Sequence, residues 1–335
     1  MVDDPLSDVL KLAEVQSVMS GGFVAAGEWA IRFPPPDKIK FFAMVRGVCW
    51  LQLDGDTAPI RMAAGDVILL AAERGFVLAS HLAIAPLEAS ALFAQRTEAI
   101  VAVGTPAHEG DEVFQIGGHV RLHPAYGALL ADVLPPFIHV RGASSEARAL
   151  RWILDQLVQE REGLPGAGLA TTQLAHLLFV QVLRAHLAAG EPLRASWLRA
   201  ATDPRVAPAL RLMHGEPGRA WRLEQLARAA AMSRTSFATH FKAVAGEAPL
   251  AYLTRWRMRL AEHSLRRADA PVGELARTLG YASESAFSNA FKRIVGVSPM
   301  RYGRQARETR WVDETDESKA GSDGMASPLV KTERP

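Results

Sequence analysis

The same pattern of residues occurs twice in the last third of this chain. Leu226 to Pro249 reads LARAAAMSRTSFATHFKAVAGEAP, and Leu275 to Pro299 reads LARTLGYASESAFSNAFKRIVGVSP. Phe237, Phe241, Lys242, Gly246 and Pro249 return fifty residues later as Phe287, Phe291, Lys292, Gly296 and Pro299. The Leu-Ala-Arg openings lie 49 residues apart, so the second copy holds one extra residue in its turn. A repeat this short is one supersecondary unit used twice. Leu223, Leu226 and Ala227 mark a first helix, the turn falls at Ala231 and Met232, and Ser233 can cap a second helix. On that helix Phe237, Phe241 and Val244 fall at i, i+4 and i+7 and form one buried face, which Gly246 ends in a left-handed stop. The second copy has its turn at Leu279-Gly280-Tyr281, its cap at Ser283 and its stripe at Phe287, Phe291 and Ile294.

The side chains left outside these stripes carry the chemistry. In the first copy they are Arg234, Thr235, Ser236, Ala238, Thr239 and Lys242. In the second they are Glu284, Ser285, Ser288, Asn289, Lys292 and Arg293. Short polar groups followed by basic ones suit a helix in a major groove, where Ser, Thr and Asn meet base edges and Lys and Arg meet phosphates. One such helix would read as an ordinary solvated face. Two of them in a basic segment favour the groove. Residues 219–307 hold sixteen Lys and Arg against six Asp and Glu, a net +10. With the whole chain at +2 and residues 308–335 at −3, residues 1–218 carry −5, so only the C-terminal part is built to meet a polyanion. Between the copies, Leu250 to Arg267 reads as one helix of about 27 Å at about 1.5 Å per residue, near the roughly 34 Å between successive major-groove segments. Arg255, Arg257 and Arg259 sit on it, either free or paired with acids.

The first half has a different character. Short apolar runs (FFAMVRG, VCWLQLDGD, APIRMAAGD, VILLAAERG, FVLAS, EAIVAVGT) recur about every ten residues between Gly and Asp-Gly breaks, which predicts a small antiparallel sandwich or barrel. Alternation places Cys49, Leu51 and Leu53 on one face of a strand and Val48, Trp50 and Gln52 on the other. A short helix is expected over residues 4–19. A second is expected to run from a Ser144 or Ser145 cap to Gln159, with Leu150, Ile153, Leu154 and Leu157 inward. A third is expected over Thr171–Ala188, with a wide stripe of Leu174, Leu177, Leu178, Val182 and Leu183 that covers its own domain or a partner. The class is α+β, organised as 1–140, a helical pair at 141–189 expected to dimerise, a linker at 190–218, the duplicated domain at 219–307 and a disordered polar tail at 308–335. One cysteine, Cys49, excludes an internal disulfide framework and a Cys-based zinc site, and no apolar run reaches a membrane span. The acidic start MVDDPLSDVL lacks the features of a signal peptide, so a cytoplasmic protein is expected.

Residues 219–307 resemble the DNA-binding domain of the AraC/XylS family of bacterial transcription regulators. The resemblance rests on LEQLA…MS…F…FK…G, on the R…RL…A…L linker helix and on ELARTLGYASESAFSNAFKRIVGVSP. It implies that the second helix of each motif reads bases, through Thr235, Ser236, Ala238 and Thr239 and through Glu284, Ser285, Ser288 and Asn289. It implies a regulator, activator or repressor, with double-stranded promoter DNA, RNA polymerase and an unknown small-molecule effector as partners, acting as a homodimer. The short Ala238 and Thr239 depart from the long donors that family members often carry there, and Glu284 can accept from a cytosine amine or simply favour the helix dipole. The first 140 residues resemble, less specifically, the cupin-like sensor domains that precede this module, through FFAMVRGVCWLQLDGD and MAAGDVILL, which implies an antiparallel β-barrel. Phe42, Met44, Arg46 and Trp50 are the candidate pocket residues, core packing being the competing role for the apolar three. In catalytic cupins a paired-His strand and a later His hold a metal. His81, His119, His123 and His139 lack that spacing, so no catalytic residue, metal or cofactor is expected. The alternative is a metal-dependent cupin enzyme fused to a DNA-binding module.

Overall fold

The structure, a computed structural model, describes residues 4–93, 100–104, 112–191, 193–267 and 271–306. The chain divides into two compact units, one of Val9–Thr202 and one of Asp203–Pro335 with Met1–Asp8. Helix α1 (Pro5–Leu12) opens the chain, its first turn capped by the Asp4 carboxylate, which accepts from Leu6 N at 3.1 Å. The helix expected over 4–19 stops early. Glu14 turns to φ +45° and the chain enters β1 (Gln16–Ala26), whose backbone groups pair with a distant strand from Gln16↔Arg121 onward.

Among the described residues ten further strands follow: β2 (Ala30–Phe33), β3 (Ile39–Arg46), β4 (Val48–Leu53), β5 (Ile60–Ala63), β6 (Val67–Leu70), β7 (Phe76–Ala79), β8 (Leu87–Glu88), β9 (Ile100–Gly104), β10 (Val113–Arg121) and β11 (Phe137–Val140). They form two sheets, ordered β11-β6-β3-β10-β1-β9 and β5-β4-β7-β2-β8. The sheets do not close into the expected barrel. Pairing is antiparallel except at β1–β9 and β2–β8, where the edge strands run parallel. One apolar core draws on both sheets, with Phe23, Ile31, Phe42, Leu51, Ile68, Phe76 and Val101 all buried. The expected alternation of β4 is present, with Cys49, Leu51 and Leu53 inward. The Ala64-Gly65-Asp66 turn is tied down by Asp66, whose carboxylate accepts from Gly142 N (2.7 Å) and Ala63 N (3.1 Å) and lies 3.0 Å from His139 Nε2. Burial by itself raises its pKa, but these hydrogen bonds outweigh it and hold the carboxyl below its ordinary value.

Two short helices, α2 (Ala89–Phe93) and α3 (Ala128–Ala131), lie among the strands. Helices α4 (Arg148–Gln159) and α5 (Ala167–Ala188) pack on each other, and α5 packs on β1 and β11. Leu150, Ile153, Leu154 and Leu157 are buried as expected. On α5 the inward stripe is Ala175, Leu178, Phe179, Val182 and Leu183, while Leu177 is 37% exposed. The segment expected as a linker, 190–218, contains α6 (Trp197–Thr202) and α7 (Ala207–Gly215). Their anchors are buried Trp197 and Leu198 in the first unit and buried Leu210 and Met213 in the second, so apolar burial makes helix where composition suggested connector. The duplicated region supplies α8 (Leu223–Ala229), α9 (Arg234–Ala245), α10 (Pro249–Arg267), α11 (Val272–Thr278) and α12 (Glu284–Val295), and residues 299–306 are again helical. The tail expected to be disordered, 308–335, lies outside the described residues. Among the described residues no helix is long and apolar enough to cross a membrane.

Candidate nucleic-acid interface

The two copies are built by the same local rules. Helix α8 is capped where Gln225 Oε1 accepts from Arg222 N at 2.8 Å, and buried Leu226 and Ala227 let α9 approach. The turn closes with Met232 N donating to Ala227 O at 2.9 Å, matched by Tyr281 N to Ala276 O at 2.9 Å. Ser233 Oγ then accepts from Ser236 N (3.2 Å) and Ser283 Oγ from Ala286 N (3.1 Å), which satisfies orphan donors at the start of α9 and α12. Gly246 (φ +86°) and Gly296 (φ +90°) end the helices, each donating to the carbonyl of the preceding Lys, Lys242 or Lys292, at 2.9 Å. Phe237, Phe241, Phe287 and Phe291 are fully buried. Val244 is buried too, but Ile294, expected in the second stripe, is 41% exposed, and Val295 packs against that core instead.

Burial of these Phe faces turns the opposite faces outward. Arg234, Thr235, Ser236, Thr239 and Lys242 on α9 and Glu284, Ser285, Asn289, Lys292 and Arg293 on α12 are exposed, with Ala238 and Ser288 half-buried beside them. Arg234 Nη1 lies 2.8 Å from Glu224 of α8, an exposed pair open to exchange for another anion. Helix α10 packs against both α9 and α12. Its nineteen residues span about 28 Å. Its arginines serve this frame. Arg257 donates to Pro217 O (2.6 Å) and Arg219 O (2.8 Å) and lies over the Tyr281 ring, Arg255 pairs with Glu247, and Arg259 pairs with Glu262 at 3.0 Å. Under the first motif a polar cluster is buried. His214 Nε2 lies 2.7 Å from the Tyr252 hydroxyl and its Nδ1 lies 3.1 Å from Asp8, while its ring stacks on Trp256 at 4.2 Å. Burial pushes the Tyr252 phenol well above its ordinary value, so it stays protonated.

The first unit holds a cavity of about 350 Å³. Its walls include Phe33, Phe42, Phe76, Phe93, Lys40 and Gln115. One side is bare because Gly21 and Gly22 on β1 run beside Gly117 and Gly118 on β10, in register as Gly21↔Gly117. Of the four expected pocket residues only Phe42 lines this cavity. Met44 is sealed in the core, with the Cys49 thiol 3.7 Å from its sulfur. Burial pushes that thiol up to about 12, which leaves it unreactive. Arg46 reaches outward over Phe114, and Trp50 stands on the half-buried outer face of β4. Strand alternation alone does not tell a packed face from a hollow one. Two Gly-Gly pairs inside apolar runs were the usable signal, since Gly in a strand leaves room. Among the described residues no three His, Cys, Asp or Glu side chains group as a metal site. His139 serves Asp66, and His119 Nδ1 lies 3.0 Å from Ser20 Oγ.

Comparison with known proteins matches both parts. A family described as Cupin matches residues 4–188, and one described as Helix-turn-helix domain matches residues 226–305. The chain is 42% identical over 300 residues to an AraC-like transcription regulator of Streptomyces antibioticus, covering 89% of this chain and 98% of that protein. It is 30% identical over 286 residues to the HTH-type transcriptional regulator AlkR of Acinetobacter baylyi, covering 84% and 92%. Among solved structures it is similar to the DNA-binding domain of AdpA in complex with a target DNA, with 31% identity, a TM-score of 0.31, and coverage of 32% of this chain and 96% of that one.

Proposed function

The chain belongs to the AraC-like transcription regulators, which bind DNA through a helix-turn-helix domain, and from that premise we propose how its own residues do so. Helices α9 and α12 each enter a major-groove segment on one side of the duplex. Thr235, Ser236 and Thr239, with Ala238 against an apolar base edge, read the first segment; Glu284, Ser285, Ser288 and Asn289 read the second. Arg234, Lys242, Lys292 and Arg293 hold phosphates. The observation that carries this is the pair of identically capped helices, each with a buried Phe face and an exposed polar and basic face, joined by one helix of about 28 Å.

The first unit holds the effector, in the cavity between β1, β3, β7 and β10. Two chains pair through α4 and α5, whose outer surface carries Trp152 (55% exposed), Leu169 and Leu177, with exposed Leu164 on the loop between them. The protein acts at promoters in the cytoplasm, alongside RNA polymerase, without an enzymatic step of its own.

The test is fluorescence anisotropy of the full chain with promoter fragments from its own genome at low salt. Sequence-selective binding whose affinity falls steeply with salt is the expected result. Absence of binding to every fragment, or equal affinity for all of them, would overturn the assignment. Trp152→Glu is expected to shift the species seen by light scattering from dimer to monomer.

A further inference from the structure

The cavity has a wall chemistry that selects a class of ligand, and the inference rests on the reading that the first unit binds the effector. Its body is apolar, with Phe33, Phe42, Phe76, Leu78 and Phe93 around it. Phe33 stacks on Phe76 at 4.8 Å between ring centroids, and Phe76 stacks on Phe42 at 5.0 Å, so three rings form one rigid wall. Among the described residues no Asp or Glu lines it. The one charged group among its described lining residues is Lys40, on β3, whose Nζ lies 4.8 Å from the Phe33 ring centroid and 5.7 Å from that of Phe76.

Lys40 is a cation with no anion beside it among the described residues. Among the described residues no carboxylate lies within 4.0 Å of its Nζ, and no hydrogen bond from it is formed, so ring faces are its main neighbours. Burial lowers its pKa from the ordinary lysine value, which is the mark of an ammonium stripped of water and incompletely repaid. Its surroundings repeat the sign. A second depression shares Ser20, Pro34, Lys40 and Gly118 with the cavity and adds Lys38 and His119. Burial and then the charges of Lys38 and Arg121 hold His119 below its ordinary pKa. The only acid there among the described residues, Asp37, lies 3.7 Å from Lys38 Nζ. A cationic ligand would meet like charge at this mouth, and a neutral one would leave Lys40 half-buried and unpaired.

We propose that the cavity takes an amphipathic monoanion, its carboxylate held by the Lys40 ammonium and its apolar body laid among Phe33, Phe42, Phe76 and Phe93. The bare edge at Gly21, Gly22, Gly117 and Gly118 supplies the room for that body. Lys40 then has two states, on the rings when the cavity is empty and on the acid when it is filled. The half-buried setting makes the charge-assisted pair stronger than a surface one.

The experiment is titration calorimetry of the full-length protein at neutral pH with three matched probes: 4-phenylbutyrate, 4-phenylbutan-1-ol and 4-phenylbutylamine. The expected result is that the acid binds at least about tenfold more tightly than the alcohol, a difference of about 1.4 kcal/mol, and that the amine binds more weakly than either. Lys40→Gln, checked for native thermal unfolding, should bring the acid to the affinity of the alcohol, and Lys40→Arg should keep the preference. Equal binding of acid and alcohol by the native protein, preference for the amine, absence of binding by all three, or a Lys40→Gln protein that still prefers the acid would each overturn the proposal. If Lys40→Gln does not fold, the native protein and Lys40→Arg decide. Anisotropy with promoter DNA is run in parallel. Retained DNA binding without acid binding removes this inference alone, whereas loss of both removes the regulator reading as well.

Discussion

The first and second helix-turn-helix units share a backbone plan and differ at the places where that plan is under strain. At the turn the first copy has Ala231 at φ +51° and the second has Gly280 at φ +77°. Ala231 accepts a left-handed conformation that costs an L side chain about 1–2 kcal/mol. Gly280 has no such choice, because a Cβ there would sit 1.9 Å from Gly218 O. Beneath α9 the first copy buries Val244, while its counterpart on α12, Ile294, is 41% exposed. After the helix the first copy has Glu247, paired with Arg255, where the second has Val297. At the start of α9 Arg234 pairs with Glu224, whereas at the start of α12 Glu284 stands over Gly273, which holds the place of Glu224. The lesson is that duplication preserved caps, Phe faces and stops, and left the outward chemistry and the rim of each core free to diverge.

Five measurements test this comparison, the first three by chemical denaturation. Phe241→Ala and Phe291→Ala should each cost about 3–5 kcal/mol, since both rings are fully buried. Equal costs would confirm that the two Phe faces are equivalent, and a cost below about 1 kcal/mol at either would break the comparison. At the rim, Val244→Ala should cost about 2 kcal/mol and Ile294→Ala under about 1 kcal/mol. Gly280→Ala should cost about 3 kcal/mol or more, from left-handed strain and the clash with Gly218. The reverse change in the other copy, Ala231→Gly, should be neutral or stabilise by up to about 1 kcal/mol, because relief of strain is offset by unfolded-state entropy.

For DNA binding, Asn289→Ala should cost about 1–3 kcal/mol at its preferred site and relax specificity there, and Thr239→Ala should cost less. Lys292→Ala should instead weaken binding to all sequences and lower the salt slope by about 1. The smallest effect is in pH. Burial raises the Glu247 pKa above its ordinary value, more than Arg255 lowers it. A raised folded pKa means that its stabilising contribution is full below the ordinary glutamate pKa and fades as pH rises through the folded value. Glu247→Gln should flatten that part of the stability curve, read by urea denaturation across the acid range. An unchanged slope would show that Glu247 behaves like the exposed acids.

The sequence by itself determined the duplicated helices, their caps, stops and Phe faces, the inward face of β4 and the four buried positions of α4. These depend on spacing and on bonds between residues close in the chain, which any single sequence displays. Tertiary structure alone decided that Gln16 begins a strand instead of extending α1, because its ladder partner is Arg121. It decided that α6 and α7 form within 190–218, that two sheets pack without closing, and that Ile294 stays at the surface. It decided that Arg255, Arg257 and Arg259 hold the frame, each engaged by a group that lies elsewhere in the fold or one turn away. It also decided that Met44, Arg46 and Trp50 lie away from the cavity while Lys40 stands at its wall. Burial and hollowness belong to whatever lies opposite a residue across the core, and no periodicity along one strand records what that neighbour is.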